Sequence, residues 1–161
     1  MLKKAALWGI VVVIIYSVFF FSSEPGKASQ DRSYKITEFV ARESKIIIDR
    51  HTLINKLGFD KLHYYIRKSG HFFEYMLLAI FIVVALSKNK ADLLKLNMAV
   101  FLLCLVLACV DEWVQTFTTG RSGSIKDVLI DGTGALIGII LCDLMYIIIE
   151  GLKYNLKRAS R

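Results

Sequence analysis

One proline and three cysteines stand among 161 residues, and each scarcity removes a class of protein. Cys104, Cys109 and Cys142 all fall inside long apolar runs. Neither a disulfide framework nor a zinc knuckle has that spacing, so they read as packing residues. The lone proline, Pro25, stands with Gly26 just beyond the first apolar run, and no internal repeat, low-complexity tract or second domain interrupts the chain. Acidic residues are outnumbered, 14 Asp and Glu against 21 Lys and Arg, for a formal charge of +7. The basic residues are nevertheless split between loops and ends, with no aromatic stacking platform on a soluble face, which argues against nucleic acid. A membrane with anionic lipids is the better partner for that charge.

What the chain does hold is apolar surface, 55% of its residues, gathered into runs. A hydrocarbon core about 30 Å thick needs roughly 20 mostly apolar residues in helical form. Runs near 5–21, 71–87, 97–115 and 127–149 meet that need or nearly so. The expected fold is an all-α integral membrane protein, one domain over 1–161 with four transmembrane helices. The first run could be a cleaved signal peptide, since Lys3 and Lys4 precede it. It is longer than the usual apolar region of roughly 7 to 15 residues and lacks a clear small-x-small site, so a retained anchor is expected. Between the first two spans, Ile36, Phe39, Val40, Ile46, Ile47, Leu53, Ile54, Leu57, Leu62 and Ile66 recur at roughly helical spacing among charges. The segment 36–66 therefore predicts one or two interfacial amphipathic helices, with Gly58 as a break; a partner-binding helix is the alternative.

Lys3 and Lys4 lead the chain, Lys88, Lys90 and Lys95 fill the short second connection, and Lys153, Lys157, Arg158 and Arg161 close the tail. Four spans put these segments on one side, and short basic segments stay in the cytoplasm. Both termini are expected there, with the chain a multi-pass protein of the plasma membrane. The long connection also carries basic residues, including Arg67 and Lys68, but acids partly offset them and long loops orient less strongly.

A carboxylate near the bilayer core costs about 2.5 to 3.5 kcal/mol on insertion scales, so an acid inside a span marks a candidate site. His71, Glu74 and Tyr75 stand at i, i+3 and i+4, on one face at the entry of the second span. Asp111, Glu112 and Gln115 share a face at the exit of the third, and Asp127 and Asp131 at the entry of the fourth. These three places, with Ser22, Ser23 and Glu24 at the exit of the first span, lie on the same side of the membrane. A polar cavity open to one face follows. Gly134 and Gly138 continue the Asp127 and Asp131 face as a small-residue contact. Asp143 and Glu150 lie towards the other end and are expected to snorkel or pair with lysines.

Two chemistries suit this set. His71, Glu74, Asp111, Glu112, Asp127 and Asp131 offer imidazole and oxygen ligands of types a divalent ion takes, or acid and base groups. The same carboxylates could instead be neutralised by His71, Arg121, Lys126 and Lys68 in a structural network, and no metal motif is matched by spacing. His71, Glu74, Asp111, Glu112 and Asp127 are the catalytic candidates if there is a reaction, although no serine is fixed beside His71 as a nucleophile. Alternatively, Arg121, with Arg67 and Lys68, and the backbone of Gly120, Ser122, Gly123 and Ser124 could receive a lipid phosphate; a charged helix cap balancing Asp127 reads the same residues. Trp113 and Tyr75 fit an aromatic belt or an apolar groove. The candidate binding set is Ser22, Ser23, His71, Glu74, Tyr75, Asp111, Glu112, Gln115, Arg121, Ser124, Asp127 and Asp131.

Taken together, His71 to Tyr75 (H-F-F-E-Y), Asp111 to Gln115 (D-E-W-V-Q), Phe117 with Gly120 and Arg121, and Ser124 through Asp127 and Asp131 to Gly134 resemble the VanZ-like family of bacterial membrane proteins. The exit at Ser22 and Ser23 also looks like the family, and the likeness covers nearly the whole chain. Asp131 departs from it, since Asn is expected there at least as often. The resemblance implies an envelope protein associated with reduced susceptibility to glycopeptides, teicoplanin more than vancomycin, and no established reaction. It leads to the expectation that the chain binds or modifies an envelope lipid or lipid-linked precursor. A non-catalytic assembly factor for an envelope synthase or transporter is the alternative.

Overall fold

In a computed structural model, residues 2–43, 59–86 and 93–159 are described, and all regular structure among them is helical. The helices are α1 (Leu2–Ser22), α2 (Gly26–Glu43), α3 (Phe59–Leu86), α4 (Leu93–Thr116) and α5 (Ile125–Ala159). Four contain candidate membrane spans, Lys4–Ser22, Lys61–Leu86, Leu93–Thr116 and Ile125–Ala159, by length and composition. The chain is thus an all-α, multi-pass membrane protein. At about 1.5 Å per residue the 35 residues of α5 run to roughly 52 Å, well beyond an apolar slab of about 30 Å. Its last turns carry Lys153, Lys157 and Arg158, all exposed.

Helix α3 is the central element, touching each of the other four, and its closest partner is α5. That closeness has a local cause. A methyl group added at Gly134 or Gly138 would run into the backbone carbonyl of Phe72 or of Met76, so only glycine lets the two backbones meet. Below this contact the core holds Leu78, Ala79, Ile82 and Val83 of α3, Val100, Cys104 and Ala108 of α4, Ala135 and Ile139 of α5, and Val11 and Val18 of α1. Outward-facing residues are large and apolar instead, among them Val12, Tyr16, Leu102, Val106, Ile140 and Ile147. Glycines at the helix contact and large apolar residues on the outside are the arrangement expected where lipid is the solvent.

The connection between α1 and α3 differs from the expected interfacial segment. Its helix α2 begins at Gly26, earlier than 36, and Leu62 and Ile66 belong to the first turns of α3, continuous with the span. Ile46, Ile47, Leu53, Ile54, Leu57 and Gly58 lie outside the described residues, as do Lys88, Lys90 and Arg161. Helix α2 buries Ser29, Ser33 and Thr37, spaced four apart, and leaves Ile36, Phe39 and Val40 exposed. It is amphipathic, with the small polar stripe turned to the protein. His63 of α3 locks that stripe: its Nε2 lies 2.6 Å from Ser33 Oγ, and its ring stacks on Tyr34 at 4.2 Å.

Asp143 is also placed differently from expectation. It accepts a hydrogen bond from Asn97 Nδ2 of α4 at 2.8 Å, because α4 and α5 are neighbours at that depth. Glu150 pairs with Lys153 at 3.2 Å. Among the cysteines, Cys104 is buried, Cys142 half-buried and Cys109 exposed, and all are free.

Candidate functional site

The end of α1, the entry of α3, the exit of α4 and the entry of α5 meet at one end of the bundle, and backbone contacts fasten them. The N–H of Gly26 donates to the carbonyl of Thr119 at 2.9 Å, and Gly26 packs so tightly on Gly120 that a side chain would strike the Gly120 carbonyl. Gly120 itself has φ of +74°, a left-handed conformation that glycine adopts without steric cost. Arg121 follows, and its Nη1 donates to the carbonyl of Phe21 at 2.6 Å and of Ser22 at 3.3 Å. Both are carbonyls of the last turn of α1, which have no partner within the helix, so the guanidinium caps it.

Within this frame α4 carries its buried face upward as Val100, Cys104, Ala108, Asp111, Glu112 and Gln115, changing from apolar to acidic over the last two turns. Gln115 organises the acids. Its Nε2 lies 3.0 Å from Glu112 Oε1, 3.2 Å from Ser22 Oγ and 3.4 Å from Asp111 Oδ2. The Ser22 hydroxyl donates to Asp111 Oδ1. Glu112 Oε2 accepts the N–H of Ser124 at 2.7 Å, while the Ser124 carbonyl accepts from Asp127 N at 2.9 Å as α5 begins. The loop nitrogen expected to face a phosphate is therefore taken by an internal carboxylate. Asp127 is neutralised by Lys68 of α3.

Asp131 lies one turn deeper and is fully buried. His71 Nδ1 stands 3.5 Å from its Oδ1, too distant for a sound hydrogen bond, and both atoms, with Asp131 Oδ2, have no hydrogen-bond partner. Ligand atoms of His71, Asp111, Glu112 and Asp131 all lie within 4.8 Å of one another. Tyr75, one turn along α3 from His71, is fully buried and its hydroxyl has no hydrogen-bond partner. It faces the interior because position i+4 from His71 shares that helix face, and so it takes no part in an aromatic belt. Trp113 does lie on the outside, edge to face with Phe117 at 5.3 Å.

Of the candidate residues, then, Ser22, His71, Tyr75, Asp111, Glu112, Gln115 and Asp131 are brought together. Arg121, Ser124 and Asp127 form the adjoining loop and helix start. Glu74 lines a cavity beside the cluster. Ser23 points away, exposed, and donates its hydroxyl to Phe19 of its own helix at 2.8 Å.

That cavity, of about 260 Å³, opens between α1, α2 and α3. Its lining combines the apolar Val18, Phe21, Ile36 and Ile66 with Arg32, Arg67 and Arg121 and with His71, Glu74 and Asp111. Arg32 is ion-paired with Glu24 and lies 4.2 Å from the centre of the Phe21 ring. Burial, and then the like charge of Arg67, pull the Arg121 guanidinium below its usual range. A second, more polar space of about 570 Å³ shares Arg67 and Arg121 and reaches Lys27, Lys68 and Ser122. The polar residues of α2 lining the first cavity, Ser29, Arg32 and Ser33, do not figure in the sequence-based set. The signal was present as small polar residues recurring every four positions.

Chemically, such a site offers a carboxylate and imidazole cluster for a cation or a proton, beside cationic forks for an anion. Architecture and site together define a small multi-pass membrane protein with an acid–histidine cluster, its acids buried and its histidine half-buried, at one end of the helix bundle. The sequence model described as VanZ/LLP1 matches residues 7–146. The chain belongs to the VanZ/LLP1 family. No curated protein and no solved structure matches it.

Proposed function

We propose that this VanZ/LLP1-family protein binds or modifies an envelope lipid or lipid-linked precursor in a bacterial plasma membrane, with both termini cytoplasmic and the cavity open to the outer face. The supporting observation is the mixed lining of the cavity, where Arg32, Arg67 and Arg121 stand with the apolar Val18, Phe21, Ile36 and Ile66. A phosphorylated headgroup needs the first and an acyl or isoprenyl chain the second. Arg67 and Arg121 repel one another, a cost that a bound anion relieves. On this proposal the protein would lower susceptibility to glycopeptides, teicoplanin more than vancomycin, as the sequence resemblance implies.

The test is lipid co-purification. Wild type extracted in mild detergent is expected to carry a phosphorylated lipid detectable by native mass spectrometry. Arg32→Gln/Arg67→Gln, which removes two charge-assisted contacts of about 1.5 to 3 kcal/mol each, is expected to carry at least tenfold less. Equal lipid on both proteins would sink the reading. In a sensitive Gram-positive host, with membrane levels matched, wild type is expected to raise the teicoplanin concentration needed for inhibition and Glu112→Ala to lose that effect. A second reading, an assembly factor for an envelope synthase or transporter, is favoured by the exposed Phe39 and Val40 of α2. It predicts co-purification of that partner, and greater sensitivity to changes on α2 than in the cavity.

A further inference from the structure

We infer that His71, Asp111, Glu112 and Asp131 form a binding site for a divalent transition cation of the zinc or manganese type, where α3, α4 and α5 meet. Their ligand atoms lie within 4.8 Å of one another. Ligands about 2.0 to 2.2 Å from a tetrahedral ion stand roughly 3.3 to 3.6 Å apart, so side-chain shifts of up to about 1.5 Å would close the shell. One imidazole with three carboxylates is a mixed nitrogen and oxygen set, suited to zinc or manganese and too poor in oxygen for the 6 to 8 ligands calcium takes.

Proximity of acids alone would not carry this. Asp131, a member of the cluster, is fully buried and neither of its oxygens has a hydrogen-bond partner; the fully buried Tyr75 hydroxyl, one turn along α3 from His71, has none either. Buried carboxylate oxygens with no donor are costly, and a cation satisfies them at once.

The remaining carboxylates are already oriented from behind. Ser22 holds Asp111, while Gln115 Nε2 and Ser124 N hold the two oxygens of Glu112. That is the role outer groups play around a metal, fixing ligand direction. Lys68 is committed to Asp127, and beside Asp131 stands the His71 imidazole, with Nδ1 3.5 Å from Oδ1. Three acids against one imidazole leave a net negative charge at span depth for an ion to neutralise. The cation site stands independently of the lipid reading. Only if that reading holds would the ion also meet a lipid phosphate, since His71 and Asp111 line the cavity as well.

Protein purified without chelator is expected to hold about one zinc or manganese ion per chain by elemental mass spectrometry. After chelator treatment, adding Zn²⁺ or Mn²⁺ should raise the melting temperature until the site saturates. Asp131→Asn and Glu112→Gln should weaken binding at least tenfold. Gln115→Ala, acting through the ligands, should weaken it about tenfold to a hundredfold, and Ser23→Ala should bind as wild type does. Stripped wild type that takes up neither ion, or acid variants that bind like wild type, would overturn the site. Should the variants not fold, Co²⁺ added to stripped wild type decides. Visible bands of a nitrogen- and oxygen-ligated ion support the site, and their absence overturns it. Lipid co-purification, read separately, is expected to survive chelation, so the two readings can fail apart.

Discussion

Ser22 and Ser23 are neighbours with opposite roles, and the difference comes from which side of the last turn of α1 each occupies. Ser22 is buried; its hydroxyl donates to Asp111 and lies 3.2 Å from Gln115 Nε2, while its carbonyl accepts from Thr118 at 3.2 Å and from Arg121. Ser23 satisfies itself on Phe19 and faces outward. Ser22→Ala leaves a buried carboxylate short of a donor, an expected loss of about 1 to 3 kcal/mol in stability. Ser23→Ala should stay within about 0.5 kcal/mol of wild type. Reversible unfolding in mixed detergent micelles measures both, and equal effects would mean that Asp111 does not depend on Ser22.

Helix α5 owes its seat to two glycines, so their replacement tests the element instead of one bond. At Gly134 or Gly138 the obstacle to a methyl group is backbone carbonyl of α3, which cannot swing aside as a side chain can. Gly134→Ala and Gly138→Ala are therefore expected to destabilise by roughly 1 to 3 kcal/mol or more through forced separation of α3 and α5. Gly151, on the same helix with open space around it, should tolerate alanine and gain up to about 1 kcal/mol from helix propensity. Denaturation in micelles separates the cases, and a harmless Gly134→Ala would show that the backbones need not touch. The four span-bearing helices and this glycine face were legible in the sequence because apolar runs and the i, i+4 repeat are strong local signals. Helix α2 was legible as an amphipathic segment through Ile36, Phe39 and Val40, but its start at Gly26 and its buried face were not, since that face is the polar stripe of Ser29, Ser33 and Thr37 while Phe39 and Val40 face out. A rule that buries the apolar face misplaces a helix beside lipid. The Asn97 contact of Asp143 was also hidden, because it depends on how α4 and α5 align in depth and not on either helix alone.

At the scale of the molecule, charge and polarity are separated along the bundle. The acid–histidine cluster and three arginines occupy the end that holds Ser22, whereas Lys95, Lys153, Lys157 and Arg158 are exposed towards the other. Short basic segments resist translocation, so the proposed orientation puts the end with Lys95, Lys153, Lys157 and Arg158 in the cytoplasm and the cavity outside. Single cysteines test this in a background where Cys104, Cys109 and Cys142 are replaced by alanine. Ser23→Cys and Arg158→Cys alter exposed positions at opposite ends. In intact cells a membrane-impermeant maleimide is expected to label Ser23→Cys and to reach Arg158→Cys only after permeabilisation. The reverse pattern would turn the cavity towards the cytoplasm. The arginines would then face the leaflet richer in cytoplasmic anionic lipid, and a ligand on the outer surface, with any direct effect on a glycopeptide target there, would no longer be accessible to this site.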